Sequence, residues 1–312
     1  MADELAQLVD ESALAFEVPL AIAVCNRAGN VEEVTRGSWP DGRLVHPTDR
    51  FYAASLAKQI TGAAAAILVR EGRLDPDLSA AHYLPELPGW ADSISAQQLA
   101  HHIAGLPAAG EIELVDNDWT DAVALAALQR LPALNPAPGT AYVYSNIGYV
   151  LLARIIARVA GSTFSHFAKT RIFEPLGLDG MGFVEGDISG FPQASMMGAG
   201  HPLTMGDGGL WTTAGAFSKW LHHQNRDTLD IADLVTVPGK LISGEVVEYG
   251  WGLGLRSRNG QPLLIHGGEW TGCRAKAVRS PSIGVAITAM SSGASMGELN
   301  ALVDAVLEGW IS

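Results

Sequence analysis

One stretch decides how the rest of the chain is interpreted, and it reads Phe51-Tyr52-Ala53-Ala54-Ser55-Leu56-Ala57-Lys58-Gln59-Ile60-Thr61. Ser55 and Lys58 are three residues apart, and a strongly helical run follows them. Side chains at that spacing lie on the same face of a helix, about 5–6 Å apart at Cβ. A serine becomes a nucleophile when a neighbour takes its proton, and burial favours the neutral lysine that can do so. Backbone N–H groups at a helix start also stabilise a developing negative charge, so the stretch combines parts of a catalytic site.

The same residues have a simpler interpretation, which is an N-cap serine followed by a solvated helix lysine. The run over residues 60–69 argues against it, because this run is apolar nearly all round. A helix of that kind is usually buried, and a lysine at its start must then be paired or functional. On this stretch alone, both interpretations stay open.

Composition narrows the class of protein. The chain has 312 residues, 48% of them hydrophobic, and a net charge of −13 with only 20 lysines and arginines. An acidic chain without a basic cluster is not expected to bind nucleic acid or anionic membranes, and its apolar runs are too short or interrupted to span a bilayer. No secretory signal precedes the first amphipathic segment, so we expect a cytoplasmic globular protein. Nothing in the sequence specifies an oligomeric state.

The cysteines and histidines do not indicate a metal or cofactor site. Cys25 and Cys273 lie in strand-like stretches, where small buried thiols are the default expectation. No cysteine–histidine cluster has the spacing of a zinc site. The pairs His101-His102 and His222-His223 are adjacent residues, which point to different sides of an element and chelate poorly.

Strand and helix patterns divide the chain into a sheet region and a helical region. An amphipathic helix opens the chain, with apolar positions at Leu5, Leu8, Val9, Ala13 and Phe16. Two strand-like runs at 20–25 and 31–39 form a predicted hairpin. More strands follow near the other end, at 251–256, 261–266, 273–279 and 283–290, with a hairpin turn at Asn259-Gly260. A last helix closes the chain, with apolar positions at Leu299, Leu302, Val303, Val306 and Trp310.

The region between these strands is dominated by helical patterns at 121–131, 147–160, 162–173 and 213–222. We therefore predict an α+β fold in which both ends of the chain build one antiparallel sheet, flanked by terminal helices. Residues 1–75 and 239–312 would form the sheet domain, residues 76–238 a mostly helical inserted domain, and the active site would lie between them.

Three motifs in order carry a resemblance to a known family. They are Ser55-Leu56-Ala57-Lys58, Tyr144-Ser145-Asn146 and His266-Gly267-Gly268. This order resembles the SxxK, YxN and Lys- or His-led triplets of the serine β-lactamase and penicillin-binding superfamily, especially its class C β-lactamase-like branch. That branch includes family VIII carboxylesterases, DD-peptidases, D-aminopeptidases and some acyltransferases. Stretches 102–107, 207–213 and 249–253 are also similar to the family, so the resemblance covers nearly the whole chain and implies a β-lactamase/transpeptidase-like fold.

The resemblance implies a role for each motif residue. Ser55 would attack a carbonyl and form an acyl-enzyme, and Lys58 would hold or take its proton. A nearby lysine ammonium favours the phenolate form of a tyrosine, so Tyr144 would share the base role and then protonate the leaving group. Asn146 would offer its amide to the substrate and to Lys58. On the residues alone, a buried aromatic that anchors a loop is the favoured interpretation of Tyr144.

The third motif would shape the substrate side of the site. Gly267 and Gly268 let a substrate approach the backbone, and the N–H of Glu269 would join that of Ser55 in an oxyanion hole. In many β-lactamases a lysine leads this triplet and helps to hold the substrate carboxylate, whereas His266 is largely neutral near pH 7. On the residues alone, His266 is a strand-end histidine beside a glycine turn. Two further pocket candidates are Trp270 and Arg274, the latter alternatively a solvated strand residue.

A second serine motif competes with the first. Residues 293–297 read Gly-Ala-Ser-Met-Gly, which matches the nucleophile elbow of α/β-hydrolases. That fold needs a histidine after the serine, and none follows Ser295. We predict instead a small-residue turn before the last helix.

We therefore expect a serine hydrolase that acts through an acyl-enzyme on small esters, amides or lactams, with no cofactor and with a small acyl compound as its partner. The histidine-led triplet and the missing signal favour an esterase-like enzyme over a dedicated β-lactamase. The alternatives are a D-aminopeptidase or DD-peptidase-like hydrolase, a biosynthetic acyltransferase, and a penicillin-binding sensor that deacylates slowly.

Overall fold

Both ends of the chain contribute to one six-stranded antiparallel sheet. The structure is a computed structural model, and it describes residues 2–108, 120–197 and 204–311. Its strands are β1 (Leu20–Cys25), β2 (Val31–Arg36), β8 (Gly254–Arg258), β9 (Gln261–Trp270), β10 (Cys273–Ser280) and β11 (Val285–Ser291). They lie in the order β2-β1-β11-β10-β9-β8 across the sheet. The antiparallel pairing of β1 with β11 joins the two ends of the chain and confirms the predicted sheet.

Each face of this sheet is covered by helices. On one face, α1 (Ala2–Asp10) and α10 (Met296–Ile311) cover apolar residues such as Ile22 and Ile287. On the other face, α8 (Ala214–Asn225) packs on β1 and β11. The first helix is shorter than its apolar pattern indicates, because it ends at Asp10 and leaves Phe16 72% exposed.

Helices make up most of the regular secondary structure in the rest of the described chain. Its helices are α2 (Ala57–Arg70), α3 (Ala80–Tyr83), α4 (Ala96–Ala100), α5 (Asp121–Arg130), α6 (Asn146–Ala160), α7 (Phe164–Ala168) and α9 (Ala232–Val235). Its short strands are β3 (Phe51–Tyr52), β4 (Met181–Phe183), β5 (Leu210–Thr212), β6 (Gly239–Lys240) and β7 (Val246–Val247). Helix α8 belongs by sequence to the predicted insert yet packs on the sheet, and the predicted boundaries at 75 and 238 stay a prediction.

Helix α2 is the central buried element, and glycines let its backbone approach the segment before β8. A Cβ on Gly62 would lie 2.3 Å from the carbonyl oxygen of Trp251, and one on Gly252 would lie 2.2 Å from that of Lys58. Gly252 also has φ +85, a region that other residues rarely adopt. This close approach places the start of α2 near the part of β9 that contains the third motif, His266-Gly267-Gly268.

Three further expectations can be compared with the fold. The turn at Asn259-Gly260 has φ values of 51° and 76°, as a type I′ hairpin requires. Both Cys25 and Cys273 are buried free thiols. Within the described ranges no single helix is long and apolar enough to cross a membrane; the bent pair 146–160 and 164–173 reaches that length and composition only when taken together.

Candidate active site

Ser55 lies in a tight turn rather than at a helix cap. The 3₁₀ turn Ala54–Leu56 connects β3 to α2, and no side chain caps either helix start. Ala54 has φ 46, a left-handed conformation that costs energy for a residue other than glycine and is common at functional sites. The N-cap interpretation of Ser55 is therefore wrong, and its hydroxyl is not consumed by the helix that follows.

The Ser55 hydroxyl instead contacts Lys58, whose side chain is fully buried. Lys58 Nζ lies 3.1 Å from Ser55 Oγ, 2.8 Å from Asn146 Oδ1 and 3.1 Å from the carbonyl oxygen of Asp207. The solvated-lysine interpretation is therefore wrong. The amide and carbonyl oxygens can only accept, whereas a serine hydroxyl can donate or accept. A neutral Lys58 consequently keeps its lone pair for the Ser55 proton, and it can become an ammonium without breaking its other two contacts.

Two tyrosine rings lie against the same nitrogen. Lys58 Nζ is 5.0 Å from the ring centroid of Tyr144 and 5.6 Å from that of Tyr149. Both rings therefore line the buried pocket that holds this nitrogen. Tyr144 stands in the loop directly before α6, and Asn146 is the first residue of that helix. The structure thus brings the first two sequence motifs to one nitrogen atom.

His266 lies within β9, which continues to Trp270, so the predicted strand end at His266 is wrong. Its Nδ1 is 2.6 Å from the carbonyl oxygen of Gly267, and its Nε2 is 2.9 Å from the hydroxyl of Tyr249. Because a carbonyl only accepts, Nδ1 carries the proton and Nε2 accepts from Tyr249. Burial and the nearby charge of Lys58 lower the pKa of His266 to about 3, so the ring is neutral at ordinary pH.

The backbone of β9 passes closely against the turn that holds Ser55. A Cβ on Gly268 would lie 2.3 Å from the carbonyl oxygen of Ala53. Trp270 pairs with Cys273 across a two-residue turn, which makes the next pair, Glu269 with Arg274, a non-hydrogen-bonded one. The N–H of Glu269 therefore points away from β10. Strand β8 pairs with β9 only up to residue 265, which leaves this edge facing the Ser55 turn. The oxyanion hole formed by the N–H groups of Ser55 and Glu269 stays a prediction.

The side chains after Gly268 separate onto two faces of the sheet. Successive residues of a strand alternate, so His266 and Gly268 share one face and Glu269 lies on the other with Arg274. The Arg274 guanidinium pairs with the Glu269 carboxylate at 2.9 Å and donates to the carbonyl oxygens of Trp270 and Cys273. The charge of Arg274 is thus matched within the chain and directed away from the Ser55 side.

Trp270, by contrast, is on the His266 face. It packs on a small apolar cluster formed by Tyr52, Ala54, Ile188, Met197, Trp211 and Cys273. Since Ala54 directly precedes Ser55, this cluster gives the site one apolar wall.

Two contacts of the site were not predicted from the sequence. The carbonyl of Asp207 holds Lys58, and the hydroxyl of Tyr249 fixes the tautomer of His266. Both residues lie in stretches that resemble the family, 207–213 and 249–253. Their roles could not be predicted, because every residue type has a backbone carbonyl and because the sequence does not show which distant residue a hydroxyl contacts.

Comparisons with known proteins identify the family of the chain and its fold. Residues 20–308 match the model of the family described as Beta-lactamase. A "Putative D-alanyl-D-alanine carboxypeptidase" of Escherichia coli K12 is 32% identical over 130 residues, which are 36% of this chain and 28% of that protein. In the first curated relatives that it matches, the matched stretch is 28%, 34% and 35% of the relative's own length.

Solved structures show the same fold over the whole chain. The D-amino acid amidase of Ochrobactrum anthropi SV3 superposes with a TM-score of 0.80 at 22% identity, covering 99% of this chain and 100% of that one. A Beta-lactamase/D-alanine Carboxypeptidase of Yersinia pestis gives a TM-score of 0.81 at 18% identity, covering 100% of this chain and 99% of that one. Since the family model spans most of the sequence, the chain belongs to the beta-lactamase family and has its class C-like serine hydrolase fold.

Proposed function

We propose that this chain hydrolyses small esters and amides through an acyl-enzyme on Ser55. The observation that carries the proposal is the buried Lys58 nitrogen, which is held by Asn146 and the carbonyl of Asp207 with its remaining position at Ser55 Oγ. A buried amine in contact with a serine that caps no helix is the arrangement expected of an activated nucleophile.

Acylation then follows from these contacts. Ser55 Oγ bonds to the substrate carbonyl carbon while its proton passes to Lys58 Nζ, with the Tyr144 oxygen sharing the transfer. The N–H groups of Ser55 and Glu269 stabilise the oxyanion that forms. When the bond to the leaving group breaks, the alcohol or amine takes a proton from the Lys58–Tyr144 pair, which returns to its starting state.

Deacylation uses the same groups with water in place of the leaving group. Water gives a proton to the Lys58–Tyr144 pair as its oxygen bonds to the acyl carbon. The bond to Ser55 Oγ breaks, the acid leaves, and Ser55 recovers its proton from that pair.

The surroundings of the site support uncharged, apolar substrates. His266 is neutral and accepts from Tyr249, and Arg274 is paired with Glu269 on the opposite face of the sheet. Many β-lactamases present a lysine ammonium to the substrate carboxylate at the position of His266. Here a carboxylate would meet a neutral imidazole whose two nitrogens are already hydrogen-bonded, as the histidine-led motif suggested. The apolar wall around Trp270 and Tyr52 favours an aliphatic or aromatic group beside the carbonyl.

A substrate panel with intact-mass detection tests the proposal. We expect turnover of nitrophenyl esters, weaker turnover of nitrocefin, and a transient acyl adduct on a peptide that contains Ser55. Hydrolysis of D-amino acid anilides in preference to esters would indicate the aminopeptidase alternative. A long-lived β-lactam adduct without product would indicate a sensor, and product formed only with an added alcohol or amine would indicate an acyltransferase. No adduct and no turnover with any of these compounds would contradict the proposed function.

A further inference from the structure

His102 is a buried histidine that begins the family-like stretch 102–107, and none of the three motifs assigns it a role. Its side chain is 2% exposed and its backbone has φ 59, in the left-handed region. Four tyrosine rings surround it, with centroids 4.3 Å away for Tyr144, 4.8 Å for Tyr249, 5.0 Å for Tyr149 and 5.9 Å for Tyr142. His102 therefore contacts Tyr144 and Tyr149, the two tyrosines whose rings lie against Lys58 Nζ.

His102 binds the Tyr144 loop at two points. Its carbonyl oxygen accepts from the N–H of Val143 at 2.9 Å, and its Nδ1 accepts from the N–H of Ser145 at 3.2 Å. These two N–H groups flank Tyr144, and alternate N–H groups of an extended segment point to the same side. Binding both of them fixes which way residue 144 faces and where α6 begins.

The hydrogen bond to Ser145 settles the tautomer of the ring. Because Nδ1 accepts a backbone N–H, the proton of the neutral ring is on Nε2. Among the described residues Nε2 has no hydrogen-bond partner, so Nδ1 alone ties the ring to the chain. Burial, followed by the charge of Lys58, lowers the pKa of His102 well below its usual value, and the ring keeps its acceptor at ordinary pH.

The segment that carries His102 is itself anchored. The N–H of Ile103 donates to Gln98 at the α4 end, and the N–H of Gly139 donates to Ile103 at 2.8 Å. Tyr149 Oη donates to the carbonyl of Ala100 at 2.7 Å, which joins α4 to α6. A Cβ on Gly105 would lie 2.0 Å from the carbonyl oxygen of Pro136, so the two segments are in backbone contact. The acceptor at residue 102 is therefore held at a fixed place relative to α6.

We infer that His102 is a positioning residue, whose Nδ1 holds the Ser145 N–H and thereby sets Tyr144 and Asn146 against Lys58. This inference rests on the proposed acyl-enzyme function. A ring that served packing alone would not need an acceptor at Nδ1.

Three substitutions separate the acceptor from the packing and from the backbone conformation. His102→Asn places Oδ1 near the position of Nδ1 and tolerates φ 59, because asparagine is among the residues enriched in that region. His102→Leu has the same branching at Cγ but no acceptor. His102→Gly also lacks the acceptor and adopts φ 59 without strain.

We expect kcat for a nitrophenyl ester to fall by about 10- to 100-fold in the leucine and glycine variants, with KM nearly unchanged, since misplaced catalytic groups act on the chemical step. The asparagine variant should recover to within about fivefold of wild type on the same reasoning. Amide hydrogen exchange at Ser145 should accelerate in the leucine and glycine variants but stay slow in the asparagine variant, because only the latter offers an acceptor.

Equal kcat values in the asparagine and leucine variants, or exchange at Ser145 that is unchanged in all three, would overturn the inference. Exchange at Ser145 does not depend on catalysis, so it decides the role of His102 even if the wild-type protein hydrolyses no ester. Absence of turnover in the wild type would instead overturn the proposed function.

Discussion

Ser55 and Ser295 each stand shortly before a helix, and each has a charged residue three positions later. Ser295 precedes α10 and is followed by Glu298, while Ser55 precedes α2 and is followed by Lys58. Glu298 N–H donates to Ser295 Oγ at 3.2 Å, and Ser295 N–H donates to Glu298 Oε2 at 2.8 Å. This reciprocal capping box confirms the predicted turn before the last helix.

Ser55 makes no such local bond. Its hydroxyl meets Lys58, whose other partners come from 88 and 149 residues away. An acidic residue at the third position completes the helix start, whereas a basic one cannot accept the backbone N–H and stays available for other contacts. A serine at a helix start is therefore free for chemistry when its hydroxyl does not cap the helix and when remote residues hold the lysine that it contacts.

The largest difference between the two serines should appear in activity. Ser55→Ala is expected to lower kcat/KM for a nitrophenyl ester by roughly 10⁴-fold or more, because the nucleophile is removed. Ser295→Ala should leave that rate within about twofold, since it alters only a helix cap. Steady-state hydrolysis of the two variants checks the prediction, and wild-type activity in Ser55→Ala would remove Ser55 from the site.

Exchanging the charged partner should have the next largest effect. Lys58→Met keeps the length of the side chain and is expected to lower kcat by about 10³-fold, since the proton acceptor is lost. The melting temperature should fall as well, because Asn146 Oδ1 and the carbonyl of Asp207 lose their buried donor. Glu298→Gln is the matched control, since glutamine also completes a capping box and should preserve activity. Retained ester turnover in Lys58→Met would assign the base to another group.

A third comparison uses two tyrosines of one loop. Tyr144→Phe keeps the ring beside Lys58 but removes the oxygen, and we expect a loss of about 100-fold in kcat from the missing proton transfer. Tyr142 is 42% exposed and contacts His102 edge-on at 5.9 Å, so Tyr142→Phe should stay within about twofold of wild type. Equal losses in both variants would mean that the loop conformation, and not the Tyr144 oxygen, limits the rate.

The smallest expected effect concerns the helix cap and pH. The hydrogen bond from Ser295 lowers the pKa of Glu298 below its usual 4.5. The contribution of the ionised Glu298 carboxylate to the free energy of unfolding is therefore fully present above pH 4.5. It is lost as the pH falls through the lowered pKa of the folded state. Ser295→Ala should lower the free energy of unfolding by about 1 kcal/mol at pH 7. Urea unfolding at pH 7 measures this loss, and an unchanged free energy of unfolding would exclude the cap. The contribution of the carboxylate is tested by Glu298→Gln, whose difference in stability from wild type should shrink as pH falls below 4.5.

The sequence predicted the helices, strands and motifs that form the site better than it predicted the contacts between their side chains. The strands, the central helix and the order of the three motifs follow from local patterns, because hydrophobic periodicity and turn residues act over a few positions. Strand β9 passes the expected end at His266, since its pairing with β10 carries it to Trp270. The cytoplasmic location and the catalytic roles of the motif residues stay predictions.

The sequence by itself determined which side chains are present for chemistry, namely a serine, a lysine and a tyrosine in a family-typical order. Only the tertiary structure decided how they are used. It buried Lys58 and gave it the Asp207 carbonyl, tied His102 to the Tyr144 loop, and directed Arg274 away from Ser55. The physical reason is that burial, backbone carbonyls and sheet faces depend on residues far apart in the chain, which no local pattern records.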